Sequence, residues 1–188
     1  MKGKITRGKY HVATIFIDIH SNLSYMYLQR WSKSDYTVQA KSAFEKYSFF
    51  HGIQIKHYHE DNGILAYNAF VHSCDKDGQT LYFCGVNDHW ENSVAEKIIR
   101  DIQSQSIIMM LHAKEHWPSA ISFNLWIYNL QLANYIRNST PGKKDIISPE
   151  ENFSQICIQP KIKAFHSFFY PVYAINNMLQ VGKYLNKY

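Results

Sequence analysis

Between Tyr10 and His116 the apolar residues alternate between a repeat of two and a repeat of about 3.6, which restricts the chain to a sheet with helices packed on it. Tyr10 to Ile19 is a β-rich run carrying Val12, Ile15, Ile17 and Ile19, and it ends on the turn formers Ser21 and Asn22. Leu23 to Gln29 follows, with Tyr25, Tyr27 and Gln29 alternating against Met26 and Leu28. Two such runs around a short polar link predict an antiparallel hairpin. Ser34 is placed to cap a helix with Tyr36, Ala40, Phe44 and Tyr47 on one face and Gly52 as its stop. Ile53 and Ile55 then alternate with Gln54 and Lys56 in a short strand ending at His59-Glu-Asp-Asn-Gly63. A short helix over Ala66 to Cys74, a charged turn at Asp75-Lys-Asp-Gly78 and a strand over Leu81 to Cys84 complete this half.

Gly85 to Asn92 has no clear period and reads as a loop. From Ser93 a long helix is expected, with Ala95, Ile98, Ile99, Ile102, Met109 and Met110 near one face. Trp117-Pro118 interrupts it, and a second helix is expected from about Ser119 to Arg137. Thr140-Pro-Gly-Lys-Lys144 reads as a linker. The expected organisation is therefore a body over residues 1–140 and an irregular C-terminal extension over 141–188, interrupted by Pro149, Pro160 and Pro171. The fold class is α/β, a mixed sheet covered by helices.

A chain of 188 residues suits one compact domain, and 46% hydrophobic with 19% charged residues excludes a disordered composition. Twenty Lys and Arg against fifteen acidic residues agree with a polyanionic partner without requiring one. Cys74, Cys84 and Cys157 are too widely spaced for a disulfide framework or a thiolate zinc site. No apolar run is long enough to cross a bilayer and the N-terminal residues lack signal-peptide character, so an intracellular location away from membranes is expected.

Two carboxylates stand out. Asp61 ends a strand and is followed by Asn-Gly, which places it at a sheet rim where ligands and metals collect. Glu96 lies 35 positions on, in the first turn of the long helix, where the helix dipole favours negative charge. Taken singly, each has an ordinary explanation: Asp61 capping a turn, Glu96 pairing with Arg100 four residues along the helix.

Their surroundings carry a resemblance. His57-Tyr-His-Glu-Asp61-Asn-Gly63, Phe83-Cys-Gly-Val86 and Asn92-Ser-Val-Ala-Glu96-Lys-Ile-Ile-Arg100 resemble the integrase catalytic core of copia-type (Pseudoviridae-like) retrotransposons. The likeness continues through Leu111-His-Ala113, Trp117-Pro118, Leu125-Trp126, Ala133-Asn134 and Ser148-Pro-Glu150. It extends to Phe165–Tyr173 and Leu179–Lys183, which are similar to the segment following such cores. Glu91 and Ser93 depart from the Gln and Gly usual in the family.

The resemblance implies a ribonuclease-H-like core that processes DNA 3′ ends and joins them to target DNA, with Asp61 and Glu96 as catalytic residues and ligands of Mg²⁺ or Mn²⁺. It implies DNA as partner, with Asn92, Lys97 and Arg100 at positions that approach it, and self-association into a homo-oligomer. It also implies a place in the nucleus or in a cytoplasmic virus-like particle. Asp18 precedes Asp61 by 43 positions, a spacing open to a third ligand. Yet Ile15-Phe-Ile-Asp18-Ile-His-Ser21 resembles the family's second strand rather than its first. On that alignment the first strand and first metal ligand lie upstream of this sequence, Asp18 is structural, and the isolated chain is expected to be inactive. A non-catalytic DNA-binding or assembly module, and a nuclease of the ribonuclease-H type, are the rival expectations. A zinc site from His57, His59, Cys84 and His89 fits no common ligand spacing. Trp117, Trp126, Tyr128 and Tyr135, at helical spacing, are expected in the core rather than as base-stacking platforms.

Overall fold

The computed structural model describes residues 6, 8–60, 68–84, 92–143, 145–157 and 168–170. The hairpin forms from β1 (Val12–Ile17) and β2 (Ser24–Gln29), antiparallel, with Ile15 opposite Met26 and Phe16 opposite Tyr25. Its two faces bury into different layers, as the two-residue repeat of a strand dictates. Phe16, Tyr25 and Tyr27 join a cluster with Phe44, Tyr58 and Phe70. Ala13, Ile15, Ile17, Met26 and Leu28 join another with Ile98, Ile102, Leu130 and Ala133. The hairpin is thus the middle layer between two helical layers.

Helix α1 (Ser34–Phe50) begins one residue earlier than the sequence suggests. Lys33 occupies the cap position without a side-chain bond, so Ser34 opens the helix instead of capping it. Ala40 and Phe44 face the core, and Phe44 stacks on Phe16 at 5.1 Å between ring centres. Gly52, at φ +75°, ends the helix in the left-handed conformation that a side chain would strain. Strand β3 (His57–Glu60) pairs in parallel with β4 (Thr80–Phe83), with Glu60 opposite Phe83. A parallel pair needs a crossover, and α2 (Asn68–Lys76) supplies it, burying Phe70 and Cys74. Among the described residues the strands form two two-stranded sheets, one antiparallel and one parallel. Phe16 on β1 and Tyr58 on β3 meet edge to face at 6.0 Å, so both sheets share the α1 core.

Lys41 is the largest fully buried side chain of this layer. Its ammonium lies 2.9 Å from Glu45 and 2.6 Å from Asp77, and 5.8 Å above the Tyr58 ring. Glu45 also accepts from the Tyr58 hydroxyl and from Gln79 Nε2. This network ties α1 to β3 and to the turn between α2 and β4.

The long helix α3 (Ser93–His116) starts where expected and ends before Trp117. The following helix does not begin at Ser119. Residues 118–120 form a turn, Phe123–Leu125 a 3₁₀ turn, and α4 runs Trp126–Ser139. Lys114 Nζ donates to the carbonyls of Pro118 and Ile121, and Ile121 is buried with Met110 and Ala113, which holds the connection non-helical. Asn129 is fully buried and donates to the Ser106 carbonyl and, at 3.0 Å, to its hydroxyl, fixing α4 against α3. Trp117 and Trp126 pack into this region as expected, whereas Tyr128 and Tyr135 turn outward.

Within the extension, α5 (Pro149–Ser154) is a short helix that the pattern did not reveal. The Ser148 hydroxyl accepts from the Glu151 amide, and the Glu151 carboxylate accepts from the Ser148 amide. Phe153 stacks on Tyr47 and belongs to the same core cluster as Phe44, while Glu150 accepts a 2.6 Å bond from the Tyr47 hydroxyl. Further on, Phe168 and Phe169 pack against Met110, Ala113 and Ile121. No helix of the described residues is long and apolar enough to cross a membrane.

Candidate functional site

Strand β3 delivers its last residue, Glu60, to a buried position with both carboxylate oxygens out of solvent. Tyr58 and Glu60 share the inward face by the alternation of the strand, and the Cys84 amide donates to the Glu60 carbonyl at 2.9 Å. Sequence reasoning passed over Glu60, although its two-residue offset from Tyr58 was the available signal. Asp61, together with Glu91 and His89, lies outside the described residues.

Glu96 sits in the first turn of α3 with its side chain exposed. The ion pair with Arg100, which would give it a purely structural role, is not formed among the described residues; the salt bridges present there are those of Lys41. Lys97 and Arg100 are exposed beside it. Asn92 stands at the cap position without a side-chain bond to the helix. These four residues therefore share one helix head, held by Ile98 and Ile102 against the hairpin.

Asp18 has a different surrounding. Its Oδ2 accepts from the Ser21 amide at 2.7 Å and the Ser21 hydroxyl at 2.6 Å, while its own amide donates to the Leu23 carbonyl. The Ser21 hydroxyl in turn accepts from the Leu23 amide. One oxygen of Asp18 is thereby committed to closing the β1–β2 link.

His59 Nε2 lies 3.1 Å from Cys84 Sγ across the β3–β4 pair, while the His57 and Tyr82 rings lie 6.2 Å apart, tilted by 40°. No group of three or more metal-binding side chains occurs among the described residues.

A hairpin buried on both faces, a parallel pair joined by a helical crossover, and a long helix with a carboxylate in its first turn define the class: the fold is that of retroviral integrase catalytic cores. The catalytic core domain of the HTLV-2 integrase, in complex with magnesium and in a trimeric form, is similar with a TM-score of 0.55 and 13% identity, over 77% of this chain and 84% of that one. The catalytic core domain of the BIV integrase is similar with a TM-score of 0.54 and 15% identity, over 82% of this chain and 91% of that one. At such identities the likeness establishes the fold. No protein-family model matches the sequence, and no curated protein matches it.

Proposed function

We propose that this chain is a copia-type retrotransposon integrase core, acting in DNA integration by metal-dependent phosphoryl transfer. The observation that carries the reading is the integrase-core fold with an exposed carboxylate, Glu96, at the head of α3. Residues 1–140 are assigned to the core and 141–188 to the segment that follows it.

Asp61 and Glu96 are the residues assigned to hold Mg²⁺ or Mn²⁺. A carboxylate pair is a hard oxygen donor set that suits these ions, and Glu96 is exposed and untied by Arg100. A divalent ion bound there supplies charge neutralisation at the attacked phosphodiester. Lys97 and Arg100 would draw the DNA backbone to the helix head by phosphate attraction, with Asn92 donating a neutral hydrogen bond beside them. Self-association and a location in the nucleus or a cytoplasmic virus-like particle belong to the same reading.

The test is an end-joining assay with Mg²⁺ on the full chain and on Asp61→Asn and Glu96→Gln. Recombinant joints in the parent and none in either variant are expected of a chain that turns over as an integrase. Joints persisting in Glu96→Gln would sink the assignment, and cleavage without joints would indicate a nuclease. The hydrogen bonds of Asp18 favour a second reading, in which Asp18 does not provide the third carboxylate and the chain binds DNA without turnover. Salt-sensitive DNA binding with neither cleavage nor joining is its signature.

A further inference from the structure

His112 and His116 stand four residues apart at the end of α3, which is close to one helical turn. Side chains at that spacing lie one above the other on the same face. Here the two imidazole rings lie 4.3 Å apart between centres, tilted by 36°, and both side chains are exposed. Neither belongs to a core cluster, and neither forms a salt bridge among the described residues. Histidines at i and i+4 on one helix face are also the spacing by which helical zinc motifs hold their ion.

His116 Nδ1 lies 2.9 Å from the His112 carbonyl oxygen. A carbonyl can only accept, so Nδ1 carries the proton and Nε2 of the neutral ring keeps its lone pair. Metal-ligating histidines share this arrangement: the second nitrogen donates to a backbone carbonyl and so fixes both tautomer and ring. The surrounding charge favours a cation. His116 is the last residue of α3, at the negative end of the helix dipole. Glu115 is exposed on the adjoining arc, while the Lys114 ammonium is drawn to the Pro118 and Ile121 carbonyls.

We infer that His112 and His116 form a binding site for a divalent transition ion of the zinc or copper class. Imidazole suits these ions, whereas Mg²⁺ and Mn²⁺ prefer oxygen donors, so the site is chemically distinct from the carboxylates assigned above. Two protein ligands leave the rest of the coordination to water, so the ion is held more weakly than in a four-ligand structural zinc site. An ion bound there clamps the end of α3, from which Lys114 reaches the connection to α4. The site is independent of the function proposed above.

Titration calorimetry of the full chain with ZnCl₂, in excess Mg²⁺ to occupy hard oxygen sites, tests this. A zinc-binding event that depends on both histidines is expected. His112→Ala and His116→Ala, both at exposed positions, should each leave the circular dichroism spectrum unchanged. Each should weaken the binding by about a hundredfold, because a second contact made within the same molecule multiplies affinity by about 10²–10⁴. His57→Ala combined with His59→Ala should leave the event as it is in the parent. A chain that takes up no zinc overturns the inference. So does binding indifferent to His112→Ala or to His116→Ala, or binding that disappears with the His57 and His59 substitutions. None of these results bears on the end-joining assay, so the two readings fail separately.

Discussion

Lys41 offers the sharpest energetic test of the α1 layer. Its side chain is 1% exposed, so its charge has been taken out of water and is compensated by Glu45 at 2.9 Å and Asp77 at 2.6 Å. Removing both countercharges with Glu45→Gln and Asp77→Asn leaves a buried ammonium without them. That class of change costs about 3–5 kcal/mol, and the half-exposed Asp77 carboxylate places the value at the lower end, about 3 kcal/mol. For a chain of this size each kcal/mol moves the midpoint by about 2–4 °C, so the double variant should melt roughly 6–12 °C lower. Lys41→Met removes the buried charge and keeps most of the volume. Asp77 then returns to solvent, and Glu45 keeps its bonds from Tyr58 and Gln79. That variant should lie within about 1.5 kcal/mol of the parent. Thermal and urea unfolding followed by circular dichroism measure both. A Lys41→Met variant as destabilised as the double carboxylate variant would refute this account, because burial of an uncompensated charge would then not govern the cost.

The same network predicts a pH dependence. The hydrogen bond from Lys41 lowers the Asp77 pKa, so its stabilisation is present above the unfolded value of 3.8 and is lost as pH falls through the folded value. The melting difference between parent and Asp77→Asn should therefore shrink below about pH 4. For Lys41, burial lowers the pKa, but the bonds to Asp77 and Glu45 outweigh it and the net shift is upward. Its contribution is present below 10.5 and fades as pH rises through the raised value, which alkaline melts will register. Ile102→Ala, at a fully buried position between α3 and the hairpin, should cost about 2–4 kcal/mol by denaturant unfolding. Ser148→Ala removes the α5 cap and should cost about 1 kcal/mol in the same assay, with little change in the denaturant slope. Asp18→Asn should lower stability by about 1 kcal/mol through the hairpin link, and a loss of DNA cleavage at unchanged melting temperature would contradict that role.

The hairpin, the crossover and the start of α3 were legible because each rests on local rules: alternation, turn chemistry and the 3.6 repeat. What escaped depended on contacts distant in sequence. Pro118 marked the end of α3 correctly. Yet only the burial of Ile121 and the reach of Lys114 to its carbonyl explain why α4 waits until Trp126. Tyr128 and Tyr135 share a face at helical spacing, and the pattern could not tell which side of α4 would be covered. Ile127, Leu130 and Ala133 took the inner face, which turned both tyrosines outward. α5 was passed over because three prolines made its segment look irregular, although Ser148-Pro-Glu-Glu151 carried the capping signature.

The candidate site shows the same division between local and distant causes. Glu96 could be placed from sequence because a helix head is defined by its own residues, and the structure puts it in the first turn of α3. Glu60 was passed over, although its two-residue offset from Tyr58 puts it on the same buried face of β3. Asp18 is the instructive case: spacing admits it as a third ligand, but spacing is blind to Ser21. Two bonds from that serine spend Oδ2 of the carboxylate on the hairpin. Those bonds give Asp18 a structural role in the hairpin, whatever its distance from Asp61 along the chain. The proposed chemistry therefore rests on the rim of β3 and the head of α3, and the hairpin serves by holding Ile98 and Ile102, and with them Glu96, in place.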